Sequence, residues 1–582
     1  MLTATGSNKI VIAYFSMEIA LDSAMPTYSG GLGVLAGDTL RAAADLAVPM
    51  AAVTLVHRKG YFRQKLDSLG QQSEQAEQWQ PEVMLEAMGP IASLRIEGRE
   101  VRIRAWRYAV QGLHGHTIPV YLLDTAVEGN TADDQALTDS LYGGDSRYRL
   151  CQEAVLGLGG VEILRLMGHT GIRSYHMNEG HSALLTLALA ERQISSQSGA
   201  KRAAKLSEVD QEAVRRQCVF TTHTPVPAGH DKFPWPLVRQ VLGAERADLL
   251  NKSGCCADNA LNLTFLALRF SRYINGVAMS HGEVSQGMYP SYPIRSITNG
   301  VHAHTWTSRP FQTLYDQHIP QWRTDNRYLR NAIGIPLAEI QQAHQRAKQS
   351  MLEVIAKRTG VKLKEGVFTI GFARRATAYK RAALLFTNIQ RLRWIARMVG
   401  PLQIIFGGKA HPNDAPGKAL IRELFEVGDS LKGAIQLVYV ENYDMEWAKA
   451  LTSGVDLWLN TPQRPLEASG TSGMKAVLNG VPSLSVLDGW WVEGHVEGKT
   501  GWCIGNPGSE VSAEPEDAVQ EANSLYDKLE TTILPMYYGQ PSAYAAVMRY
   551  TISLNGSFFN TQRMVRQYLT NAYFPDEDFV SF

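Results

Sequence analysis

Short runs of β-branched and aromatic residues recur along this chain, each followed by a longer stretch whose apolar residues are spaced for a helix. The first series is VIAYFSM (11–17), MAAVTLV (50–56), VRIRAW (101–106), IPVYLLD (118–124) and CVFTTH (218–223). The second is VFTIGFA (367–373), LQIIFGG (402–408), IQLVYV (435–440) and PSLSVLD (482–488). Apolar strands alternating with helices are how βαβ units with buried parallel strands read. Two such series predict an α/β protein with two doubly wound, Rossmann-like domains. Between them, PLAEIQQAHQRAKQSMLEVIAKRTG reads as a polar amphipathic helix without strands. The changeover therefore lies between about 300 and 360, and we place it at Gly300, giving domains 1–300 and 301–582.

Composition narrows the class. With 582 residues, 45% apolar and 19% charged, the chain has material for two sizeable cores and is unlike a disordered protein. The 57 Lys and Arg against 56 Asp and Glu leave a net charge of +1, so no overall field steers the protein onto nucleic acid or an anionic membrane. Nowhere do 18 apolar residues run together, and Glu18 interrupts the first apolar run before a signal-peptide pattern can form. A cytoplasmic protein is expected. Five cysteines without CxxC spacing suggest neither a disulfide framework nor a zinc site, and the adjacent Cys255 and Cys256 read as reduced thiols. No metal is expected.

Four motifs in the first half lie at strand ends or turns. Tyr28-Ser29-Gly30-Gly31-Leu32-Gly33 precedes a helical pattern, where backbone N–H groups at a helix start can receive a phosphate. His176-Met177-Asn178-Glu179-Gly180-His181 and Thr221-Thr222-His223-Thr224-Pro225 place polar side chains at the carboxyl edge of a parallel sheet, where open α/β folds bind ligands. Thr298-Asn299-Gly300-Val301, with Trp306 beyond, suits sugar hydroxyls and ring faces. Each has a plainer reading too: a tight glycine turn, helix capping by Asn178, a hydrogen-bonded structural His223, an ordinary Asn-Gly turn. His176 and His181, five apart, do not share a helical face as metal ligands would.

The second half is more specific. Arg374-Arg375-Ala376-Thr377-Ala378-Tyr379-Lys380-Arg381 sets four cations directly after a buried strand. A helix start is electrostatically the wrong end for cations, so an anion site explains them better than a solvated charged face. Farther on, Glu467-Ala468-Ser469-Gly470-Thr471-Ser472-Gly473-Met474-Lys475 places small hydroxyl and glycine residues before a helix, a second phosphate cradle. Lys475 stands there among apolar neighbours, where a desolvated amine loses its charge more readily. Glu467 offers a carboxylate ahead of the cradle, for which a structural ion pair is the plainer alternative.

Taken together and in order, the glycine loop, NEGH, TTHT, INGVAMSHGEV (274–284), TNGV, RRATAYKR, GGK (407–409), ENY (441–443), EASGTSGMK and RMVRQYL (563–569) resemble the α-glucan (glycogen or maltodextrin) phosphorylase family over nearly the whole chain. The resemblance implies the GT-B architecture, two Rossmann-like domains facing a central cleft, with a terminal helix over about 546–570 packing back towards the first domain. It implies pyridoxal 5'-phosphate as cofactor and Lys475 as its imine partner, with Arg374, Thr471 and Ser472 on the cofactor phosphate and Tyr443 beside it. Gly31, Arg375 and Lys380 would hold the substrate phosphate. His223, Asn299, Glu467, Ser469 and Gly470 would contact the glucosyl unit, and Lys475, Arg375, Lys380 and His223 form the expected catalytic set. Glu179 and His181 match an Asp and a His of a loop bordering the site, the change to Glu touching sugar selection.

The implied activity is retaining phosphorolysis: inorganic phosphate takes the terminal α-1,4-linked glucose of glycogen or maltodextrin and releases glucose 1-phosphate. Such chemistry needs cations holding two phosphates close together, not a pair of hydrolytic carboxylates. A sugar-nucleotide-dependent glucan synthase would share the two-sheet architecture but has no use for Lys475, and a silent glucan-binding protein has no need of Arg375, Lys380 and Lys475. Familiar members are longer and some form homodimers; a homodimer is among the assemblies open to this chain. Its first strand starts at residue 11, which leads us to expect hyperbolic kinetics and no nucleotide control.

Overall fold

Ile12–Ser16 and Phe368–Ala373 are mostly apolar and wholly buried because each lies inside a sheet with neighbours on both sides. The computed structural model describes residues 9–196, 207–226, 229–254, 256–257, 259–505 and 515–575. Cys255 lies outside them, while Cys151, Cys218 and Cys503 are buried free thiols.

The first sheet has nine strands, in the spatial order Arg295–Ser296, Tyr273–Gly276, Cys218–Thr221, Ser174–Asn178, Ile12–Ser16, Met50–Leu55, Thr117–Asp124, Arg99–Gln111, Glu86–Ile96. The first seven are mutually parallel. Alternate residues feed opposite faces: Phe15, Val53 and Leu123 pack against one helical layer, Tyr14, Ala52 and Leu122 against the other. The run VRIRAW, read above with the buried parallel strands, belongs instead to a long antiparallel strand beside the edge. Its period-2 pattern, with Arg102 exposed between the buried Val101 and Ile103, is that of a strand with one wet face.

The second sheet is entirely parallel, in the order Gln436–Val440, Leu402–Gly407, Phe368–Ala373, Leu457–Asn460, Ser483–Val486, Gly501–Ile504. Numbered along the chain this is 3-2-1-4-5-6, the Rossmann order, and the parallel part of the first sheet repeats it with a seventh strand added. The helix Leu337–Thr359 bridges the two series and ends on Gly360 in the left-handed region (φ +74°).

The halves are tied together at several places, among them a hairpin and the C-terminal segment. The hairpin of Arg63–Leu66 and Gln72–Gln75 reaches across to the second sheet's loops: Gln64 Nε2 donates to the Gly408 carbonyl at 2.9 Å, Gln72 Nε2 to the Ala410 carbonyl at 2.8 Å, and Lys409 Nζ to the Phe62 carbonyl at 2.9 Å. The C-terminal segment returns to the first sheet. The single helix expected over about 546–570 is interrupted once: Pro541–Tyr550 runs on through the wide turn Thr551–Gly556 to residue 558, the chain turns extended at Asn560, which pairs with Val301, and Asn560 caps the fresh start Thr561–Tyr568 by accepting from Arg563 N–H at 3.0 Å. Tyr568 and Tyr573 then reach first-sheet residues, the Tyr573 hydroxyl lying 2.6 Å from His176 Nδ1. Gly300 lies so close to the Asn560 carbonyl that a Cβ would sit 2.3 Å away. Among the described residues no helix is long and apolar enough to cross a membrane.

Candidate active site

In a Rossmann-order sheet the crevice opens at the carboxyl ends of the two central strands, whose connections leave in opposite directions. In the second sheet these are Phe368–Ala373, which runs into Arg374, and Leu457–Asn460, which runs into the loop carrying Glu467. Arg374 and Lys380 converge on one carboxylate oxygen: Lys380 Nζ donates to Glu467 Oε2 at 2.7 Å, and Arg374 Nη2 donates to the same atom. Burial favours the neutral acid, but the two cations outweigh it and hold Glu467 at about 2. Arg374 Nη1 is buried with no hydrogen-bond partner among the described residues, as are Ser469 Oγ and Thr377 Oγ1. Arg381, the fourth cation, is drawn away to Glu521 and to the carbonyls of Thr461 and Pro462.

Arg375 differs from its neighbours. Its side chain is accessible at the cleft and forms no ion pair among the described residues, although it feels Tyr61, Glu18, Tyr142 and Tyr379. Tyr443 lies against Gly407, within electrostatic reach of Arg374, and burial raises its hydroxyl.

The loop from Glu467 turns into the helix Thr471–Val477 through Gly470, whose φ of +84° favours glycine. Thr471 and Ser472 open that helix, and Ser472 Oγ accepts from Trp458 Nε1–H at 3.1 Å. Lys475, one turn farther, is 7% exposed, and its Nζ lies 4.1 Å from the centroid of the Trp306 indole. It forms no ion pair among the described residues, and burial pushes it down to about 8. Asp488 fastens the loop from behind, accepting from Glu467 N–H and Gly489 N–H, each at 2.9 Å; burial lifts its carboxyl to about 7.

The first sheet supplies the opposite wall. Gly31 starts the helix Gly31–Asp45, but the amides just before it are already held: Glu18 Oε2 accepts from Ser29 N–H at 2.6 Å and from Gly30 N–H at 3.2 Å, while Oε1 accepts from the Tyr142 hydroxyl at 3.0 Å. His223 Nε2 lies 2.7 Å from Asn178 Oδ1, and because Asn178 Nδ2 donates to Ser16 Oγ, that oxygen is the acceptor and His223 the donor. Burial lowers His223 to about 3, so it is neutral at pH 7. Glu179 turns inward, its oxygens accepting from Gly180 N–H, His223 N–H and the Thr224 hydroxyl. His181 pairs with Asp231 at 3.3 Å. Asn299 is held by its backbone, its carbonyl accepting from Arg563, and its buried Oδ1 has no partner among the described residues.

The structure thus joins Arg374, Lys380 and Glu467 directly, sets Ser469, Gly470, Thr471, Ser472 and Lys475 on one continuous turn, and links Glu179 with His223. Glu179 and His181 are engaged by the protein itself. Sequence reasoning missed Glu18, Asp38, Tyr142 and Asp488. Glu18 alone left a trace, an acid that interrupts the first apolar run just past its strand.

Two facing sheets of Rossmann order with a cation-lined crevice at their carboxyl edges define a glycosyltransferase of the GT-B class. Residues 244–536 match the carbohydrate phosphorylase family, and the chain belongs to that family. It is 38% identical to a maltodextrin phosphorylase of Thermococcus litoralis, over 97% of this chain and 70% of that protein. It is 34% identical to a glycogen phosphorylase of Mycobacterium tuberculosis (97% and 71%) and 33% identical to one of Aquifex aeolicus (97% and 86%). Pyridoxal phosphate is typical of the family, and the nucleotide-sugar synthase reading is not favoured.

Proposed function

We propose that this chain is an α-1,4-glucan phosphorylase that carries pyridoxal phosphate on Lys475, takes maltodextrin or glycogen and inorganic phosphate, and releases glucose 1-phosphate with retention. The observation that carries the reading is the buried Lys475 amine, without an ion pair among the described residues, on the same loop-and-helix unit as a carboxylate that gathers Arg374 and Lys380. The residues present fit the cofactor: a buried cation with an unused N–H in Arg374, two hydroxyls opening a helix at Thr471 and Ser472, and a desolvated amine one turn on. Those three would hold the phosphate end and Lys475 the aldehyde end, with Tyr443 alongside. When bound, the cofactor supplies a phosphate that serves as an acid–base group.

The chain's own residues position and charge the site. Arg375, accessible and unpaired, is suited to grip the substrate phosphate from the cleft, and Lys380 does so while anchored by Glu467. Gly31 adds a backbone N–H at a helix start. Neutral His223, with its Nε2–H spent on Asn178, has Nδ1 left as an acceptor for a glucosyl hydroxyl. Asn299 Oδ1 and Ser469 Oγ are further buried groups able to meet sugar hydroxyls, beside Glu467 and Gly470. Glu179 and His181 act from behind by fixing the loop that carries His223. Gly300 is our boundary between the domains that make the two walls.

The test is direct. Purified protein given maltodextrin and phosphate should release glucose 1-phosphate, and borohydride should fix the cofactor to a peptide containing Lys475. A colourless protein that cannot be reconstituted and makes no glucose 1-phosphate overturns the reading.

A further inference from the structure

Asp38 lies two turns into the helix that the glycine loop opens and is fully buried. A carboxylate there needs strong partners. Its Oδ2 accepts from Trp306 Nε1–H at 2.6 Å and from His302 N–H at 3.2 Å, and its Oδ1 faces Arg41 Nη1 at 3.3 Å. The indole that donates to Asp38 is the one whose face carries Lys475 Nζ. Three groups are therefore in successive contact: a carboxylate of the helix that the glycine loop opens, an indole, and a buried ammonium at the second cradle.

We infer that Asp38, acting through Trp306, is a positioning residue that favours the charged form of the Lys475 amine and so couples the glycine-loop helix to cofactor capture. This rests on the reading of Lys475 as the attachment point. Two effects act in the same direction. A carboxylate accepting the indole N–H makes the ring's π-face more negative and strengthens its hold on the ammonium. The charge of Asp38 also opposes, over a short buried path, the desolvation that drives the amine neutral. Cofactor capture needs the neutral amine: its lone pair adds to the aldehyde carbon, and water leaves as the carbon–nitrogen double bond forms. Asp38 thus sets the pH at which capture begins.

Among the described residues no other charge has the same access. On the helix Gly31–Asp45, Arg41 is held by the carbonyls of Ala20 and Leu21, and Asp45 pairs with His302 Nε2 at 2.9 Å. The strands Arg99–Gln111 and Thr117–Asp124 present Trp106, Val110, Ile118 and Leu122 to that helix. From the helix Thr561–Tyr568 packed along it, Arg563 is bound to the carbonyls of Thr298 and Asn299, and Arg566 faces Asp325. His304, next to the Trp306 turn, is lowered by burial and by Arg323 and His302. Around Lys475 itself, Leu457–Asn460 and Ser483–Val486 carry no charge, and on Met445–Gly454 Lys449 pairs with Glu446.

A purely structural Asp38 would pin the 301–306 segment through the Trp306 and His302 hydrogen bonds, which an asparagine Oδ1 also accepts. Asp38→Asn removes the charge and keeps an acceptor. Competitive reductive methylation of the full chain with formaldehyde and cyanoborohydride, from about pH 6 to about pH 10, reads the Lys475 midpoint by peptide mass spectrometry. Asp38→Asn should lower that midpoint by about half a unit or more, giving about threefold more neutral amine near pH 7, and Asp38→Glu should restore it. Should Asp38→Asn not fold, Trp306→Phe, which keeps a ring and drops the N–H, should shift the midpoint the same way. An unmoved midpoint overturns the coupling. Pyridoxal phosphate capture with borohydride, run in parallel, should shift equally; if the amine midpoint moves but wild type and variant alike capture nothing at Lys475, the cofactor reading fails while the coupling stands.

Discussion

Gln64 and Asn442, 378 residues apart, exchange two hydrogen bonds: Gln64 N–H donates to Asn442 Oδ1 at 3.0 Å, and Asn442 N–H donates to Gln64 Oε1 at 2.9 Å. Gln64 is fully buried, and its Nε2 donates to Gln72 and Gly408 as well, so one side chain latches the two-stranded hairpin of the first half onto the loops of the second sheet. Gln64→Ala should leave several buried partners unmade and cost about 2 kcal/mol, seen as a Tm lower by about 3 °C or more. An unchanged Tm would show that the latch is replaceable by water.

Glu467 has a pH signature. Its carboxyl is held at about 2 in the folded chain against an ordinary value near 4.5, so its ion pairs stabilise fully above about pH 4.5 and are lost as the pH falls towards 2. The shift is worth on the order of 3 kcal/mol. The stability difference between wild type and Glu467→Gln should be flat above about pH 5 and shrink through that window. Urea titrations at several pH values would measure it, and a difference that grows with acid contradicts the assignment.

What the residues alone disclosed was local. Both cradles, the cation run and Lys475 lie in short contiguous stretches, and the strand–helix alternation carries the sheets. Partnerships across the chain were not legible: Glu467 sits 87 residues from Lys380, and Trp306 is 268 from Asp38. VRIRAW is as β-rich as the buried parallel strands, and only its arginines at every second place mark the wet face of an antiparallel edge hairpin. Glu179 drew notice at a strand end and by its match to an acid of the family's loop; which groups its carboxylate meets, His223 N–H and the Thr224 hydroxyl of a loop 44 residues on, was not legible in the residues.

Glu18 holds the glycine loop by accepting both the Ser29 and Gly30 amides, and it is itself gripped by the Tyr142 hydroxyl. Removing it frees the loop and leaves the Glu467 ion cluster in place, although Arg375 loses a nearby negative charge. Glu18→Ala should raise KM for phosphate about tenfold while changing cofactor content little, since about 1.4 kcal/mol of loop order must then be supplied on binding. Phosphate saturation curves at fixed maltodextrin, beside absorbance of the bound cofactor, decide this; equal KM values mean that the loop is ordered by other means.

Arg375 and Lys380 face the same anion in our reading but differ in what else they do, and the difference is measurable. Lys380 is 8% exposed and shares the Glu467 carboxylate with Arg374, so Lys380→Ala removes a substrate contact and also unbalances a buried ion cluster. Arg375 is accessible and belongs to no ion pair among the described residues. Its replacement by alanine therefore leaves the apoprotein nearly untouched, and the variant should keep its Tm and its cofactor. Both variants should lose about 3 kcal/mol or more of transition-state stabilisation, roughly a hundredfold in kcat/KM, because a charge-assisted contact to the reacting phosphate is gone. Only Lys380→Ala should also melt several degrees lower. Initial rates, cofactor absorbance and melting curves on the same preparations separate the two roles. If Arg375→Ala retains more than about a tenth of wild-type turnover, that guanidinium is a solvated cation at the rim and the phosphate is held by Lys380 without it.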